Sequence, residues 1–265
     1  MRDLHRVLDL FSGIGGFSLG LEQTGGFKTE AFCEIDPFAK KVLRKHWPNT
    51  QIFGDIRNLE GSPGWVSEVY YRGGGKGNTY DLSIARRVDV IVGGFPCQDL
   101  STAGKGAGLD GPQSRLWFEF YRLICEIRPK WVVVENVSAL RAKGLDRILK
   151  GLAEIGYDAE WYNIPAYAVG APHKRERLWI IAYPQRNQQS REEPRCRSLG
   201  RVGRLFEPLP WDTPWQVALA EFRGMVDGVP KCVDRTDAIR NSLVPQIPYL
   251  IGKSILEYDS TLTTA

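Results

Sequence analysis

One cysteine of this chain stands in a local sequence that favours nucleophilic chemistry. Cys97 follows Pro96 and comes shortly after the apolar run 88–92, which indicates a buried strand. A thiol is partly ionised at neutral pH and is intrinsically nucleophilic, and proline fixes the backbone torsion just before it. We therefore predict that Cys97 is presented on a loop as a covalent catalyst. The structural alternative is an ordinary buried cysteine.

One carboxyl group and two guanidinium groups could assist such a nucleophile. Glu135 ends the apolar run 131–134, where partial burial would raise the pKa of its carboxyl group and let it act as an acid. Arg175 and Arg177 stand two residues apart before another apolar run, so strand alternation places both on the same side, suited to a phosphate and a carbonyl. Taken singly, these residues could equally be a strand cap and a surface ion pair.

A glycine-rich turn and two further carboxyl groups form a second pattern. Residues 12–16, Ser-Gly-Ile-Gly-Gly, follow the first apolar run, and Glu34 lies about 20 residues on, where a ribose-binding acid is expected. The dinucleotide fingerprint fails because Ser18 occupies the place of its last glycine. Asp55, after a third short run, adds an acceptor for an adenine amino group. Each feature alone could be a simple turn, but together they predict an adenosine ligand without a pyrophosphate, such as S-adenosylmethionine.

The apolar pattern predicts elements that bring these residues to one edge of a sheet. Strands are expected at 6–11, 27–34, 51–53, 88–92, 131–134, 159–164 and 178–183, and helices at 17–21, 37–46, 114–127 and 145–155. Apolar strands that alternate with helices are typical of a doubly wound parallel sheet, whose ligands lie beyond the carboxyl ends of the strands. Asp9, Glu34, Asp55, Cys97 and Glu135 each fall at or just after such an end.

The composition limits the class of protein. A chain of 265 residues that is 43% hydrophobic and 25% charged fits one α/β domain, or one with a small annex, and excludes fibrous and disordered classes. No run approaches the roughly 18 apolar residues of a membrane span, and the start lacks a secretory pattern, so we expect a cytoplasmic protein with no membrane partner. Five cysteines without a Cys-x-x-Cys pair predict neither a disulfide framework nor a metal site.

The positive charge is concentrated in one window. Residues 185–205 hold six arginines against two glutamates, an excess equal to the net charge of +4 of the whole chain. This window is rich in Gln, Ser and Gly and has almost no apolar periodicity. We interpret it as an exposed loop that seeks phosphates, with a merely solvated surface as the alternative.

In their order along the chain, these motifs resemble the C5-cytosine DNA methyltransferase family. The matching segments are residues 9–16, 33–36, 54–56, 94–101, 135–137 and 174–177, and residues 227–230 and 240–246 are similar to the closing motifs of the family. The resemblance spans nearly the whole chain, and the Pro-Cys-Gln, Glu-Asn-Val and arginine motifs are highly specific in this order. It implies a doubly wound, mostly parallel sheet of the S-adenosylmethionine-dependent type with a small irregular target-recognition lobe.

The resemblance also implies the reaction, a methyl transfer from S-adenosyl-L-methionine to C5 of a cytosine flipped out of duplex DNA. Cys97 would attack C6, Glu135 would support protonation at N3, and Arg177 would contact the base carbonyl, with Arg175 at a phosphate or at the Cys97 loop. The implied cofactor-binding residues are Phe11, Ser12, Gly13, Gly15, Gly16, Glu34, Ile35, Asp55, Ile56, Pro96, Asn241 and Ser242. The expected DNA-binding residues are Gln98, Ser101, Arg186, Arg191, Arg195, Arg197, Arg201 and Arg204. Residues 98–112 correspond to a loop that closes over the flipped base.

Three regions follow from the resemblance. Residues 1–183 form a catalytic domain in which 60–87 are a surface insertion, 184–226 form a short target-recognition region, and 227–265 pack back on the catalytic domain. The sequence departs from the family at His173, where glutamine is usual, and at Arg240, where glycine is usual. Arg240 is the more demanding replacement because glycine tolerates torsions that arginine does not.

The expected partners are double-stranded DNA and a cognate restriction endonuclease, in a restriction–modification or phage self-protection context, and the expected state is a monomer. Two alternatives stay open at this point: a transfer-RNA cytosine-5 methyltransferase and a DNA-binding relative that has lost turnover. Amino-methylating enzymes are disfavoured because no Asn/Asp-Pro-Pro-Tyr/Phe motif occurs. A redox role for Cys97 is disfavoured because no resolving cysteine lies nearby.

Overall fold

The computed structural model describes residues 4–60, 80–81, 88–96, 115–171, 175–185 and 243–263. Within these ranges, the strands are β1 His5–Leu10, β2 Phe27–Cys33, β3 Gln51–Phe53, β4 Leu59–Glu60, β5 Tyr80–Asp81, β6 Val90–Gly93, β7 Trp131–Val137, β8 Tyr157–Pro165 and β9 Glu176–Pro184. The helices are α1 Gly16–Glu22, α2 Pro37–His46, α3 Leu116–Ile127, α4 Leu140–Lys143, α5 Leu145–Glu154 and α6 Gln246–Thr263.

Seven of the described strands form one sheet in the order β3-β2-β1-β6-β7-β9-β8. Its strands pair in parallel from β3 to β7, whereas β9 runs antiparallel to both β7 and β8. The predicted doubly wound, mostly parallel sheet is therefore confirmed. The reversal of β9 was not predicted because a fully buried apolar run such as 178–182 has the same composition in either direction.

Both faces of the sheet are covered by helices. One face buries Leu8, Leu10 and Val134 against α3 and α5, and the other buries Val7, Val133 and residues of α1 and α6. The alternation along β1 and β7 sends neighbouring side chains to opposite layers, as the period of a strand requires. Polar groups that serve a ligand must therefore emerge at an edge of the sheet, and the carboxyl ends of the parallel strands provide that edge.

The last described helix returns the chain to the glycine-rich turn. A methyl group at Gly20 would lie 2.1 Å from the carbonyl oxygen of Pro245, and one at Gly16 would lie 3.1 Å from the side chain of Leu243. The absence of side chains on these two residues lets α1 and the start of α6 approach closely. The backbone at Leu243 is thus held beside the turn that follows β1.

Some element boundaries differ from the predicted ones. Strand β7 extends through Val137, so Glu135 lies inside the strand instead of just after it, and β6 begins at Val90, two residues later than predicted. Helices α4 and α6 were not predicted. The predicted insertion 60–87 lies outside the described residues apart from Glu60 and the short strand β5. None of the helices in the described ranges is long and apolar enough to cross a membrane.

Candidate active site

The glycine-rich turn after β1 has a backbone that glycine makes accessible. Gly13 and Gly15 have positive φ angles of 54° and 88°, and Phe11, which directly precedes the turn, has a φ of 52°. A methyl group at Gly13 would meet nothing within 4 Å, so the backbone is open on that side. The hydroxyl of Ser12 donates to the carbonyl of Asp9 at 2.6 Å, which closes the turn from within. Ser12 therefore braces the turn, and Gly13 presents open backbone to a ligand.

Glu34 connects this turn to the end of β2. Its Oε2 atom accepts a hydrogen bond from the backbone N–H of Gly13 at 2.6 Å, and its Oε1 atom accepts one from the N–H of Asp36 at 2.8 Å. The next side chain, Ile35, is 67% exposed. An exposed apolar side chain beside a fixed carboxylate suits a ligand that has both a hydroxylated sugar and a flat apolar face.

Asp55 lies beyond the end of the edge strand β3. Its carboxylate caps the short 3₁₀ helix Ile56–Asn58, and it accepts hydrogen bonds from the N–H and the guanidinium group of Arg57. These bonds hold the pKa of Asp55 below its usual range, so it remains a charged acceptor. Ile56 is only 3% exposed and packs in the core. Its side chain therefore supports the site from below and does not present a surface to a ligand.

These residues fit the predicted adenosine-type cofactor. The turn contributes open backbone at Gly13, and Glu34 and Asp55 contribute carboxylates on two neighbouring strand ends. Strands β2 and β3 pair in register at Cys33 and Phe53, which places those ends side by side. Ile35, which directly follows Glu34 in sequence, supplies an exposed apolar surface. The donor set suits a nucleoside and includes no cluster of cations for a pyrophosphate.

Glu135 and Arg177 meet across the strands β7 and β9. The Nε atom of Arg177 lies 3.0 Å from Oε1 of Glu135, and the strand register pairs Arg177 with Val137, two residues along β7. A methyl group at Gly94 would lie 2.8 Å from Oε2 of Glu135, so the carboxyl group is held between the end of β6 and the arginine. Burial raises the pKa of Glu135, and the charges of Arg177 and Arg175 oppose that rise. A carboxyl group with a raised pKa keeps its proton to higher pH, which suits a general acid.

Asn136 is a site residue that the sequence reasoning did not single out. It is 2% exposed, its side-chain amide donates to the carbonyl of Phe95 at 3.1 Å, and its Oδ1 atom accepts from the N–H of Val137 at 2.8 Å. The pairing of β6 with β7 ends at Gly93 and Val134. Asn136 thus extends the connection between the strands to the turn 94–96. Its place in the Glu-Asn-Val motif was the available signal.

Many predicted site residues lie outside the described residues. These are Cys97, Gln98, Ser101, Asn241, Ser242 and the arginines Arg186, Arg191, Arg195, Arg197, Arg201 and Arg204, together with His173, Arg240, the loop 98–112 and the region 186–226. Pro96, which directly precedes Cys97, is described and half-buried at the end of the turn. The roles of the residues outside the described ranges, including Cys97, stay predictions.

Two other cysteines can be assessed directly. Cys33 is buried, its thiol contacts the carbonyl of Gly54 at 3.2 Å, and burial raises its pKa. Burial also raises the pKa of Cys125. A raised pKa keeps a thiol protonated and poorly nucleophilic, so neither residue suits covalent catalysis. Within the described part of the chain, no group of three or more His, Cys, Asp or Glu residues could hold a metal ion.

The sheet order, the reversed strand β9 and the glycine-rich turn after β1 are those of the α/β fold of S-adenosylmethionine-dependent methyltransferases. The chain belongs to the C-5 cytosine-specific DNA methylase family, because the model of that family matches residues 5–212. Membership in the family implies S-adenosyl-L-methionine as the cofactor. The predicted resemblance is therefore confirmed.

Curated relatives support the same assignment. The chain is 36% identical over 185 residues to the Type II methyltransferase M2.BsuMI of Bacillus subtilis, which covers 67% of this chain and 41% of the relative. It is 38% identical over 186 residues to the Type II methyltransferase M.Eco47II of Escherichia coli, which covers 68% of this chain and 40% of the relative. The match thus spans well under half the length of these relatives.

Solved structures share the fold. The Dnmt2 methyltransferase of S. pombe aligns with a TM-score of 0.56 at 17% identity, covering 78% of this chain and 57% of that structure. The DNMT2 of Spodoptera frugiperda aligns with a TM-score of 0.51 at 19% identity, covering 68% of this chain and 50% of that structure. At these identities the alignments establish the common architecture.

Proposed function

We propose that this chain transfers the methyl group of S-adenosyl-L-methionine to C5 of cytosine in duplex DNA through a covalent bond between Cys97 and C6 of the base. The observation that carries the proposal is the position of Glu135. Its buried carboxyl group lies against Gly94, in the turn that leads through Pro96 to Cys97, and it is bonded to Arg177. The turn that directly precedes Cys97 in sequence therefore lies against the proposed proton donor.

The proposed methyl transfer requires that a nucleophile and a proton donor act on the same cytosine. The thiolate of Cys97 adds to C6 while Glu135 donates a proton to N3, so the C5–C6 double bond becomes an electron-rich enamine. S-adenosyl-L-methionine would supply an electrophilic sulfonium methyl group to C5, with the S–CH3 bond breaking and S-adenosylhomocysteine as the leaving group. Removal of the C5 proton by a general base then restores the C5–C6 double bond, expels the Cys97 thiolate and returns the N3 proton to Glu135. The raised pKa of Glu135 suits it to the proton-donating role because the protonated form persists to higher pH.

The two arginines would serve recognition and orientation. Arg177 holds the Glu135 carboxyl group at 3.0 Å, and its guanidinium group has further N–H donors for the carbonyl of the base. Arg175 contributes positive charge at the same carboxyl group and would meet a phosphate of the backbone. The target cytosine must leave the duplex to reach this edge, at a cost of roughly a few kcal/mol for unstacking and unpairing.

The cofactor would bind along the other strand ends. Glu34 would accept from the ribose hydroxyl groups, Asp55 from the adenine amino group, and Ile35 and Phe11 would contact the purine ring. Asn241 and Ser242 would join them, since Leu243 already packs on Gly16. The arginine-rich window 185–205 would bind DNA phosphates, with Gln98 and Ser101 near the flipped base.

The biological context proposed is restriction–modification or phage self-protection. Type II methyltransferases of bacteria are among the relatives, and so is M.CviJI of Paramecium bursaria Chlorella virus IL3A, at 32% identity over 179 residues, covering 67% of this chain and 42% of that relative. The proposal includes duplex DNA as the substrate, a cognate endonuclease as the counterpart, a monomeric enzyme and a cytoplasmic location.

The testing experiment incubates the purified chain with methyl-labelled S-adenosyl-L-methionine and, in parallel, with mixed-sequence duplex DNA or with transfer RNA, followed by base-resolution mapping of 5-methylcytosine. Cys97→Ser is the matched variant, since it keeps the shape of the side chain and removes the thiolate. Label at a short motif that disappears in the variant supports the proposal. Label on transfer RNA alone would show that transfer RNA, and not duplex DNA, is the substrate. Cofactor binding without label on either nucleic acid would contradict the proposed activity.

A further inference from the structure

Trp47, which directly follows α2, lies against the glycine-rich turn. A methyl group at Gly15 would come within 2.6 Å of Cζ3 and 2.7 Å of Cη2 of the indole ring. Gly15 is the N-cap residue just before α1, and its φ of 88° belongs to the left-handed region. The indole ring therefore occupies the space that a side chain at Gly15 would need, and it limits the movement of the turn on that side.

Contacts on several sides hold the indole ring in place. Its Nε1–H donates to Oε2 of Glu22 at 2.8 Å, and the other oxygen of Glu22 accepts from the N–H of Thr29 at 2.9 Å. The ring also meets Phe32 of β2 edge to face, with the ring centroids 5.1 Å apart. The rigid indole ring of Trp47 thus contacts Glu22 at the end of α1, strand β2, and Gly15 just before the start of α1.

We propose that Trp47 is a positioning residue for the cofactor: it sets the conformation of the turn 12–16 before the ligand arrives. Gly13, two residues before Gly15, contributes the N–H that binds Glu34 and the open backbone expected to face the ligand. Fixing this turn in advance lowers the conformational cost of binding. The inference rests on the cofactor site of the proposed function, but it concerns affinity for the cofactor and not the transfer step.

The test compares variants of the full chain by calorimetric titration with S-adenosyl-L-methionine and with S-adenosylhomocysteine. Trp47→Leu should raise both dissociation constants about tenfold, as expected when a preorganised turn becomes mobile. Trp47→Phe keeps a ring near Gly15 but loses the bond to Glu22, so it should lie between the wild type and Trp47→Leu. The matched control is Trp161→Leu, because Trp161 is a 37% exposed tryptophan on the edge strand β8, where Arg141 stacks on it.

A second readout separates positioning from a general structural role. At saturating cofactor, kcat and the dissociation constant for duplex DNA should stay within about twofold of the wild type, since the expected defect is confined to the cofactor turn. Should Trp47→Leu not fold, Trp47→Phe and Glu22→Gln carry the same comparison with smaller shifts. Cofactor affinity unchanged in a folded Trp47→Leu chain, or an equal loss of DNA binding and kcat, would overturn the inference.

A double variant adds an independent check. Gly15→Ala places a methyl group against the indole ring, so part of its cost should disappear in the Trp47→Leu background, whereas full additivity would contradict the proposed contact. The two proposals fail separately. A wild-type chain that binds cofactor but methylates no DNA contradicts the proposed function and leaves this inference to be decided by the ratio of dissociation constants.

Discussion

Two carboxylate–arginine pairs lie at the same edge of the sheet, and they have opposite electrostatic properties. Asp55 and Arg57 belong to one 3₁₀ turn after the edge strand β3, and the side chain of Arg57 is 66% exposed. Glu135 and Arg177 belong to the inner strands β7 and β9, where their side chains are 14% and 25% exposed. The pKa of Asp55 is lowered, whereas the pKa of Glu135 is raised.

The pKa values of Asp55 and Glu135 shift in opposite directions because hydrogen bonding has the larger effect at Asp55 and burial has the larger effect at Glu135. At Asp55 the hydrogen bonds from Arg57 are the first cause of the shift, and burial opposes them. At Glu135 burial is the first cause, and two arginines only reduce it. An arginine beside a carboxyl group therefore does not determine whether that group is a charged acceptor or a proton donor. The depth at which the fold places the pair decides it. In the proposed function, Asp55 is the charged acceptor for the cofactor and Glu135 is the acid that acts on the cytosine.

The largest expected effect comes from removing the acid. Glu135→Gln keeps the size of the side chain but cannot donate its proton, so kcat should fall by roughly 10²–10⁴, the usual contribution of general acid catalysis. Cofactor affinity should not change, because Glu34 and Asp55 lie just beyond the ends of other strands, β2 and β3. Single-turnover methyl transfer and cofactor titration measure the two quantities. A variant with the wild-type rate would show that Glu135 is not the acid.

Removing the arginine should sharpen the role of burial. In Arg177→Ala the carboxyl group of Glu135 loses an opposing positive charge, so its pKa rises further. Because the protonated form is the donor, the rate falls as pH rises through this pKa, and in the variant that fall should occur at higher pH. The pH dependence of single-turnover rates tests this, with Arg177→Lys as the charge-retaining control. A shift to lower pH would contradict the electrostatic account.

Asp9 provides a buried carboxyl group without an arginine among its described partners. It is fully buried in β1, it accepts from the hydroxyl of Ser18 at 2.8 Å, and burial raises its pKa to about 8. The stability that this group contributes is complete only below its ordinary pKa of 3.8, and it is lost progressively as pH rises from there to about 8.

Asp9→Asn removes that titration. The melting temperature of the wild type should therefore fall between pH 6 and pH 9 more steeply than that of the variant, by roughly several degrees at the upper end. Thermal melts in matched buffers measure both slopes. Parallel slopes in the two proteins would mean that Asp9 is already ionised in the folded state over this range, so that burial does not raise its pKa to about 8.

The smallest effect is expected at the exposed pair. Arg57→Ala removes a guanidinium group that is 66% exposed, and such surface pairs contribute at most about 1 kcal/mol to the free energy of unfolding. The backbone N–H of Arg57 still donates to Oδ1 of Asp55, so the carboxylate keeps its position. We expect chemical denaturation to differ by less than about 0.5 kcal/mol. A much larger loss would place this pair in the same electrostatic class as Glu135 and Arg177.

The sequence predicted the fold better than the contacts within the site. Strands of the parallel half are visible as apolar runs such as 88–92, and their order along the chain indicates which side chains reach the edge. An apolar run does not indicate the direction of its strand, so the direction of β9 could not be predicted. The clustering of Glu135 with Arg177 depends on that direction, because the antiparallel register pairs Val137 with Arg177.

Two positioning residues show why the remainder could not be predicted. Asn136 acts through a hydrogen bond to Phe95, 41 residues away in sequence, and Trp47 acts through contact with Gly15 and a bond to Glu22. Neither an asparagine at a strand end nor a tryptophan after a helix has a spacing that indicates such a partner. Their roles depend on tertiary distances that only the folded chain supplies.

The central claim is that Cys97 forms a covalent bond to C6 of cytosine, while the cofactor bound near Glu34 and Asp55 delivers the methyl group. Its most direct test is the mass of the complex formed with cofactor and duplex DNA in which 5-fluorocytosine replaces cytosine. Fluorine at C5 cannot be lost as a proton, so the adduct should accumulate as one chain bound to one DNA, only with cofactor present and not in Cys97→Ser. Methylation of ordinary DNA without any such adduct, or an adduct that persists in Cys97→Ser, would contradict the account.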